Sequence, residues 1–144
     1  LNRNLLDSIA DLIALSVKQR KMKKVIVVGT EECMAFPIML TNFLDEVTGH
    51  TLELTCHSTT RSPIEPSDDT LLKDRVTLPS VYDSDRVTYL YNTMSDDKDA
   101  DLVLFVTDGT NDSALNKLAN HYLERAGAKE VMKVKLHFGH IEED

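Results

Sequence analysis

The densest group of side chains able to bind a ligand stands directly after a strand-like segment. Four consecutive residues supply it: Thr59, Thr60, Arg61 and Ser62. Hydroxyl groups and a guanidinium are the groups with which proteins hold a phosphate or a carboxylate. Pro63 and Pro66 come next, and they reduce the entropy lost when the loop becomes ordered. The alternative is a surface turn, in which the hydroxyls cap the backbone and Arg61 pairs with Glu65 or Asp68.

Three acid–base side chains are candidates for catalysis, and each lies at or just after the end of a predicted strand: Glu31, His57 and Asp108. Each also has a structural interpretation. A histidine here can cover the sheet edge, a glutamate at a helix start suits the helix dipole, and an aspartate before a helix can cap it. Cys33 precedes a helix, which can lower a thiol pKa, but Glu31 and Glu32 beside it oppose that effect.

The predicted ligand-binding residues are Thr30, Thr59, Thr60, Arg61, Ser62, Asn92 and Asp108. No metal site is predicted, because His137 and His140 have no cysteine near them in the sequence and terminal strands often end this way. No cofactor is predicted either, since the chain has no Gly-x-Gly-x-x-Gly motif, no Walker loop and no zinc-type cysteine pairing.

The stretch from Cys56 to Ile64 contains Thr-Arg-Ser-Pro at residues 60–63 and resembles the signature of the bacterial TRSP domain. The resemblance also takes in residues 27–32 and 88–92, so it extends over about residues 24–108. It implies a domain C-terminal to a phosphoribosyltransferase-like domain, in gene clusters of tellurite-resistance and stress-response systems. Those clusters are thought to make a nucleoside-like metabolite, so the implied partners are the upstream domain and a phosphorylated or nucleoside-like small molecule.

Composition limits the classes of function. The chain has 144 residues, which fits one α/β domain over residues 1–144, and it begins at Leu1, so we expect the C-terminal part of a longer protein. A net charge of −8 argues against nucleic-acid binding. No apolar run is long enough to span a bilayer, so no membrane contact is expected. Two cysteines make no disulfide framework, which favours a cytoplasmic location.

Helical and strand-like patterns alternate along the chain. Apolar spacing predicts a helix over residues 4–20, a second from Pro37 to about residue 47, and a third that Thr110 or Asn111 caps and Gly127 ends. Strands are predicted at residues 25–28, 51–57, 75–78, 86–91, 102–106 and 131–138. The predicted fold is a three-layer α/β sandwich with a Rossmann-like, mostly parallel sheet of about five or six strands and possible antiparallel additions.

Polar loops leave the carboxyl ends of these strands. In open α/β sheets ligands bind beyond those ends, so we expect residues 30–33, 57–62, 91–92 and 108–111 to line one crevice. The helix that starts near Pro37 would point its free amide groups into the same place, where they and Arg61 would favour an anion. Exposed loops are polar without any ligand, so the crevice depends on the strands being parallel.

Two enzyme motifs are absent. Phosphoribosyltransferases carry paired acids and a Thr/Gly-rich loop after an apolar strand. In this chain the apolar strand at residues 102–106 is followed by a single acid, Asp108. Haloacid-dehalogenase-type phosphatases need an aspartate nucleophile where this chain has Val106. We therefore expect no phosphoribosyl transfer from this chain alone, and predict a ligand-binding or accessory catalytic module for the upstream domain. The alternatives are a stand-alone small-molecule enzyme and a non-catalytic interaction domain that uses the strongly acidic stretch of residues 65–101.

Overall fold

The computed structural model describes residues 3–31, 33–63 and 71–136, with side chains from residue 7 onward. The helices are α1 (Arg3–Gln19), α2 (Ala35–Val47) and α3 (Asp112–Asn120), and α3 continues into a π-helical turn (His121–Arg125). The strands are β1 (Lys24–Thr30), β2 (Glu53–Thr59), β3 (Arg75–Pro79), β4 (Val87–Tyr91), β5 (Leu102–Thr107) and β6 (Val131–Lys135).

Four strands form a parallel sheet in the order β2-β1-β5-β6. In the register, Val28 of β1 stands between His57 of β2 and Phe105 of β5. The chain leaves β1 for one side of the sheet, through α2 to β2, and leaves β5 for the other side, through α3 to β6. The connections that follow β1 and β5 therefore cover opposite faces of the sheet. Doubly wound sheets open a crevice for ligands between two such strands.

The two central strands are apolar on both faces because both faces are covered. On one face Val25, Val27 and Leu104 pack in a core with α1 and α2. On the other face Ile26 and Phe105 pack in a second core with α3 and the π-helical turn. The result is the helix–sheet–helix layering expected from the sequence, and the predicted α/β class is confirmed.

The middle of the chain forms a separate antiparallel hairpin of β3 and β4. Thr60 joins it to the end of β2: the amide of each of Thr60 and Tyr89 donates to the carbonyl of the other, both at 2.8 Å. The possible antiparallel additions are thus present. Over the described residues the parallel sheet has four strands, and the hairpin forms its own sheet instead of extending it. Of the predicted last strand, residues 137–138 lie outside the described residues.

Candidate functional site

A cavity of about 280 Å³ opens at the carboxyl edge of the parallel sheet, and it is lined by Glu31, Arg61, Tyr82 and Asp108. Glu31 comes directly after β1, Arg61 comes after β2 with one intervening residue, and Asp108 comes directly after β5. These three residues meet because β1, β2 and β5 are parallel neighbours, so their carboxyl ends share one edge. The fourth residue, Tyr82, comes from the turn of the hairpin.

The loop after β1 is compact and tightly held. A Cβ at Gly29 would lie 2.6 Å from the carbonyl oxygen of Cys33 and 2.8 Å from the Pro37 ring, so only glycine allows the start of α2 to come this close. Glu31 then adopts a φ of 47°, a left-handed conformation that is strained for this residue type. Its amide donates to the carbonyl and the hydroxyl of Thr59, at 3.1 and 2.9 Å, which holds that conformation.

The carboxylate of Glu31 is buried at the base of the cavity, with its side chain 2% exposed. Arg86 donates to it at 2.7 Å, and the Ser80 hydroxyl lies 3.3 Å away. The Nε of Arg61 lies 4.0 Å from the same carboxylate. A buried carboxylate is retained only when cations and hydrogen bonds compensate its lost hydration, and here the close contact with Arg86 is the main compensation, while the half-exposed and more distant Arg61 contributes little.

Hydroxyl groups form a continuous chain along one wall. Thr107 Oγ1 lies 2.7 Å from Thr30 Oγ1, which lies 2.8 Å from the Tyr82 hydroxyl, and that hydroxyl donates to Asp108 at 2.5 Å. A hydroxyl has one proton, and Thr107 already accepts from the Gly109 amide. One set of directions that satisfies these hydroxyls runs from Thr107 through Thr30 and Tyr82 to the Asp108 carboxylate, and the Tyr82 hydroxyl also lies 2.9 Å from the Thr30 carbonyl.

Both protonatable side chains beside Asp108 stay neutral near pH 7. Burial raises the pKa of the Tyr82 hydroxyl above its usual range, and the hydrogen bond to Asp108 raises it further. Burial also raises the pKa of the Cys33 thiol, with a smaller contribution from the charge of Asp108. Cys33 is therefore disfavoured as a nucleophile, because the reactive form of cysteine is the thiolate.

The predicted Thr-Thr-Arg-Ser cluster is divided by the structure. Arg61 lines the cavity, and its side chain is 52% exposed. Thr59 is buried and supports Glu31, while the Thr60 hydroxyl donates to the carbonyl of Ser62 at 3.1 Å and shapes the turn. Of these four residues, Arg61 is the one that lines the cavity. Glu65 and Asp68, its alternative partners, lie outside the described residues.

Among the other predicted residues, Thr30 and Asp108 belong to the hydroxyl chain, whereas His57 and Asn92 do not reach the lining. His57 pairs at 2.7 Å with Asp97, a fully buried carboxylate that also accepts from the Tyr122 hydroxyl at 2.8 Å. Asn92 accepts from the Lys73 amide and donates to the Leu71 carbonyl, which organises residues 71–74.

The predicted crevice needs one correction. Each of the predicted segments 30–33, 57–62 and 108–111 has one member in the cavity lining, namely Glu31, Arg61 and Asp108, because β1, β2 and β5 are parallel. Residues 91–92 do not, since β4 pairs antiparallel with Thr60 and its carboxyl end points away from that edge. The opposite end of the hairpin, residues 80–86, lies there instead.

Sequence reasoning therefore missed Ser80, Tyr82 and Arg86. The turn that carries them is attached to the β5–α3 loop: the Asn111 amide donates to the Val81 carbonyl at 3.0 Å, and Val81 packs on Gly109, where a Cβ would lie 2.5 Å from its side chain. The only local signal was a tyrosine and an arginine in a polar turn, and such turns are common.

Metal clusters and membrane-spanning helices are absent from the described part of the chain. Over residues 3–31, 33–63 and 71–136 there is no group of three or more histidine, cysteine, aspartate or glutamate side chains arranged to hold a metal ion. In the same ranges no helix is both long and apolar enough to cross a bilayer.

Residues 2–122 match the model of a known family, described as "TRSP domain C terminus to PRTase_2". The match includes α1, the parallel strands β1, β2 and β5, the hairpin, and all four residues that line the cavity. No curated protein matches this chain.

Proposed function

The chain belongs to the TRSP domain family, whose members lie C-terminal to a PRTase_2 domain, and from this premise we propose that it is the ligand-binding module of a two-domain protein. Its cavity holds a phosphorylated, nucleoside-like metabolite that the upstream phosphoribosyltransferase-like domain makes or consumes. The setting that fits this role is a bacterial tellurite-resistance or stress-response system, and the compartment is the cytoplasm.

The observation that carries the proposal is a lining that combines one arginine with a hydrogen-bonded hydroxyl–carboxylate pair. Arg61 offers a half-exposed guanidinium, the group that pairs best with a phosphate or carboxylate. The Tyr82 hydroxyl has one proton, and its two acceptors are the Asp108 carboxylate at 2.5 Å and the Thr30 carbonyl at 2.9 Å, so this part of the lining offers oxygen lone pairs. A matching ligand needs an anionic group at one end and hydroxyl or amino donors at the other.

The size and the charge of the cavity favour a small ligand of this kind. A volume of about 280 Å³ lies just below the usual range for small-molecule sites, roughly 300–1,000 Å³. The two lining carboxylates are balanced by Arg61 and by Arg86 behind Glu31. A phosphorylated ribose fits these limits better than a dinucleotide or a polyanion.

The loop between β5 and α3 favours the module role over transfer by this chain alone. Asp108 is one acid, and it is already an acceptor for Tyr82, whereas transferases place a pair of acids there to hold a sugar diphosphate. The same loop continues into α3 through the cap at Asn111, which leaves no glycine-rich diphosphate loop between the strand and the helix.

The first prediction concerns Arg61. In the full-length protein, Arg61→Ala should weaken binding of ribose 5-phosphate and nucleoside 5′-monophosphates at least tenfold, because it removes a charge-assisted hydrogen bond worth about 1.5–3 kcal/mol. Isothermal titration measures the effect. The melting temperature should hardly change, since exposed substitutions cost about 0.5 kcal/mol or less.

The matched control is Arg125→Ala. Arg125 is an exposed arginine of the π-helical turn, in the same helical layer as α3. It should leave affinity unchanged. Unphosphorylated nucleosides should bind the wild-type protein and the Arg61→Ala variant equally weakly. The proposal fails if the wild-type protein binds none of these compounds beyond the upstream site, or if both arginine variants bind like the wild type.

A further inference from the structure

Helix α1 has a second apolar face. Its inner face packs into the core of the domain through Ala10, Ile13, Ala14 and Val17. Leu12 and Leu15 are nonetheless 69% and 55% exposed. At 100° per residue these two leucines stand next to each other, on the side of the helix opposite the buried stripe. This outer leucine face is not needed to attach α1 to its own domain.

Exposed polar residues flank the outer leucine face, as a polar rim flanks the apolar centre of a protein interface. Ser8 and Gln19 are exposed on the same side of the helix, one turn before Leu12 and one turn after Leu15, and Asp11 and Lys18 are exposed along one flank. Protein interfaces combine an apolar centre with a polar, solvent-accessible rim, and interfaces between domains of one chain bury about 600–1,500 Å². Two leucines at 55% and 69% exposure supply the centre of such a contact.

The direction of α1 relates this face to the cavity. The connection from α1 to β1 is short, so α1 runs opposite in direction to β1. Its 17 residues span about 25 Å, which matches the roughly 23 Å of the seven-residue β1. The first turn of α1 is therefore directed toward the edge of the sheet that carries Glu31 and Asp108.

We infer that the outer leucine face of α1 is the surface on which the upstream phosphoribosyltransferase-like domain packs. The family places that domain before α1 in the chain, so the polypeptide that leaves it enters this domain at α1. The entry point is directed toward the edge that carries the cavity, so the packed neighbour stands beside the proposed ligand. The inference rests on the proposed function, which involves the same upstream domain. It adds the surface through which the two domains make contact.

Photo-crosslinking in the full-length protein tests this contact without any ligand. Benzoylphenylalanine replaces Gln19, which is exposed and lies on the outer leucine face, and mass spectrometry maps the products. The expected result is a crosslink within one polypeptide, from position 19 to the upstream domain. Benzoylphenylalanine in place of Asn120, an exposed residue of α3 on the face of the sheet opposite α1, should give no such product.

Leucine variants then test the apolar contact itself. Leu12→Ala with Leu15→Ala should reduce the crosslink yield from position 19 at least fivefold. Leu123→Ala, at a partly exposed leucine of the π-helical turn, should leave it unchanged. Crosslinks only between two copies of the chain, a yield no higher than from position 120, or equal yields in both leucine variants would overturn the inference. Because ligand binding is not measured, these outcomes are separate from the Arg61 result.

Discussion

Glu31 combines two unfavourable conditions in one residue. Its φ of 47° lies in the left-handed region, and its carboxylate is almost completely buried. A residue in such a strained conformation persists only where several surrounding contacts hold it. Here Thr59 fixes the backbone of Glu31 and Arg86 neutralises its charge. The position of Glu31 at the end of a strand could be predicted from the sequence. Its partner Arg86, 55 residues later, could not, because no local pattern links the two.

Arg86→Met should destabilise the protein by about 1–3 kcal/mol, because the buried Glu31 carboxylate would lose its closest cation. Urea denaturation measures the loss as a lower midpoint. Arg125→Met, at an exposed arginine, should shift the midpoint by far less. Adding Glu31→Gln to Arg86→Met should recover part of the stability, since the uncompensated charge is then gone. Equal losses in the two arginine variants would show that the ion pair does not stabilise the fold.

At the scale of elements, the orientation of the hairpin decides which residues reach the site. Its strands could be predicted from their alternating pattern, and an antiparallel addition was among the expectations. The pairing of Thr60 with Tyr89 determines which end faces the cavity, and it brings residues 80–86 to the edge instead of Asn92. Pairing between strands 29 residues apart leaves no mark in either segment alone. That is why Tyr82 was missed while Arg61 and Asp108, which come after predicted parallel strands, were found.

Helix α3 begins with a side-chain cap that could be predicted from local sequence. The Asn111 side chain accepts from the Ala114 amide at 3.2 Å, as expected for a residue just before a helix. Asn111→Ala should lower the free energy of unfolding by about 1 kcal/mol, because one amide at the helix start loses its acceptor. Chemical denaturation measures this loss. Asn111→Asp keeps an acceptor and should restore most of it; a loss of the same size in both variants would contradict the cap.

At the scale of the whole molecule, Asp101 joins three segments at the amino edge of the sheet. It accepts from the amides of Lys23 and Lys24, at 2.7 and 3.0 Å, and from the ammonium of Lys129 at 2.9 Å. These segments lie at the starts of β1, β5 and β6. The backbone hydrogen bond from Lys23, and after it the contact with Lys129, lowers the Asp101 pKa from its usual 3.8 to about 2.

This lowered pKa predicts a loss of stability in acid. A carboxyl group whose pKa is lower in the folded state stabilises the fold above its usual pKa, and the contribution is lost as the pH falls from about 4 to about 2. After allowance for screening by solvent, it is on the order of 1 kcal/mol. Urea unfolding of the wild type and of Asp101→Asn should differ at pH 6 and converge near pH 2. A difference that stays constant over this range would exclude Asp101 as the cause.

Asp101 and the cavity lie at opposite ends of the same strands. The seven residues of β1 separate them by roughly 20 Å, beyond the 7–10 Å within which substitutions usually influence one another. Changes to Arg61 or Asp108 should therefore add to changes at Asp101 without coupling. A lineage of such domains can alter what the carboxyl edge recognises while the amino edge keeps the sheet together, so ligand preference and fold stability are free to evolve separately.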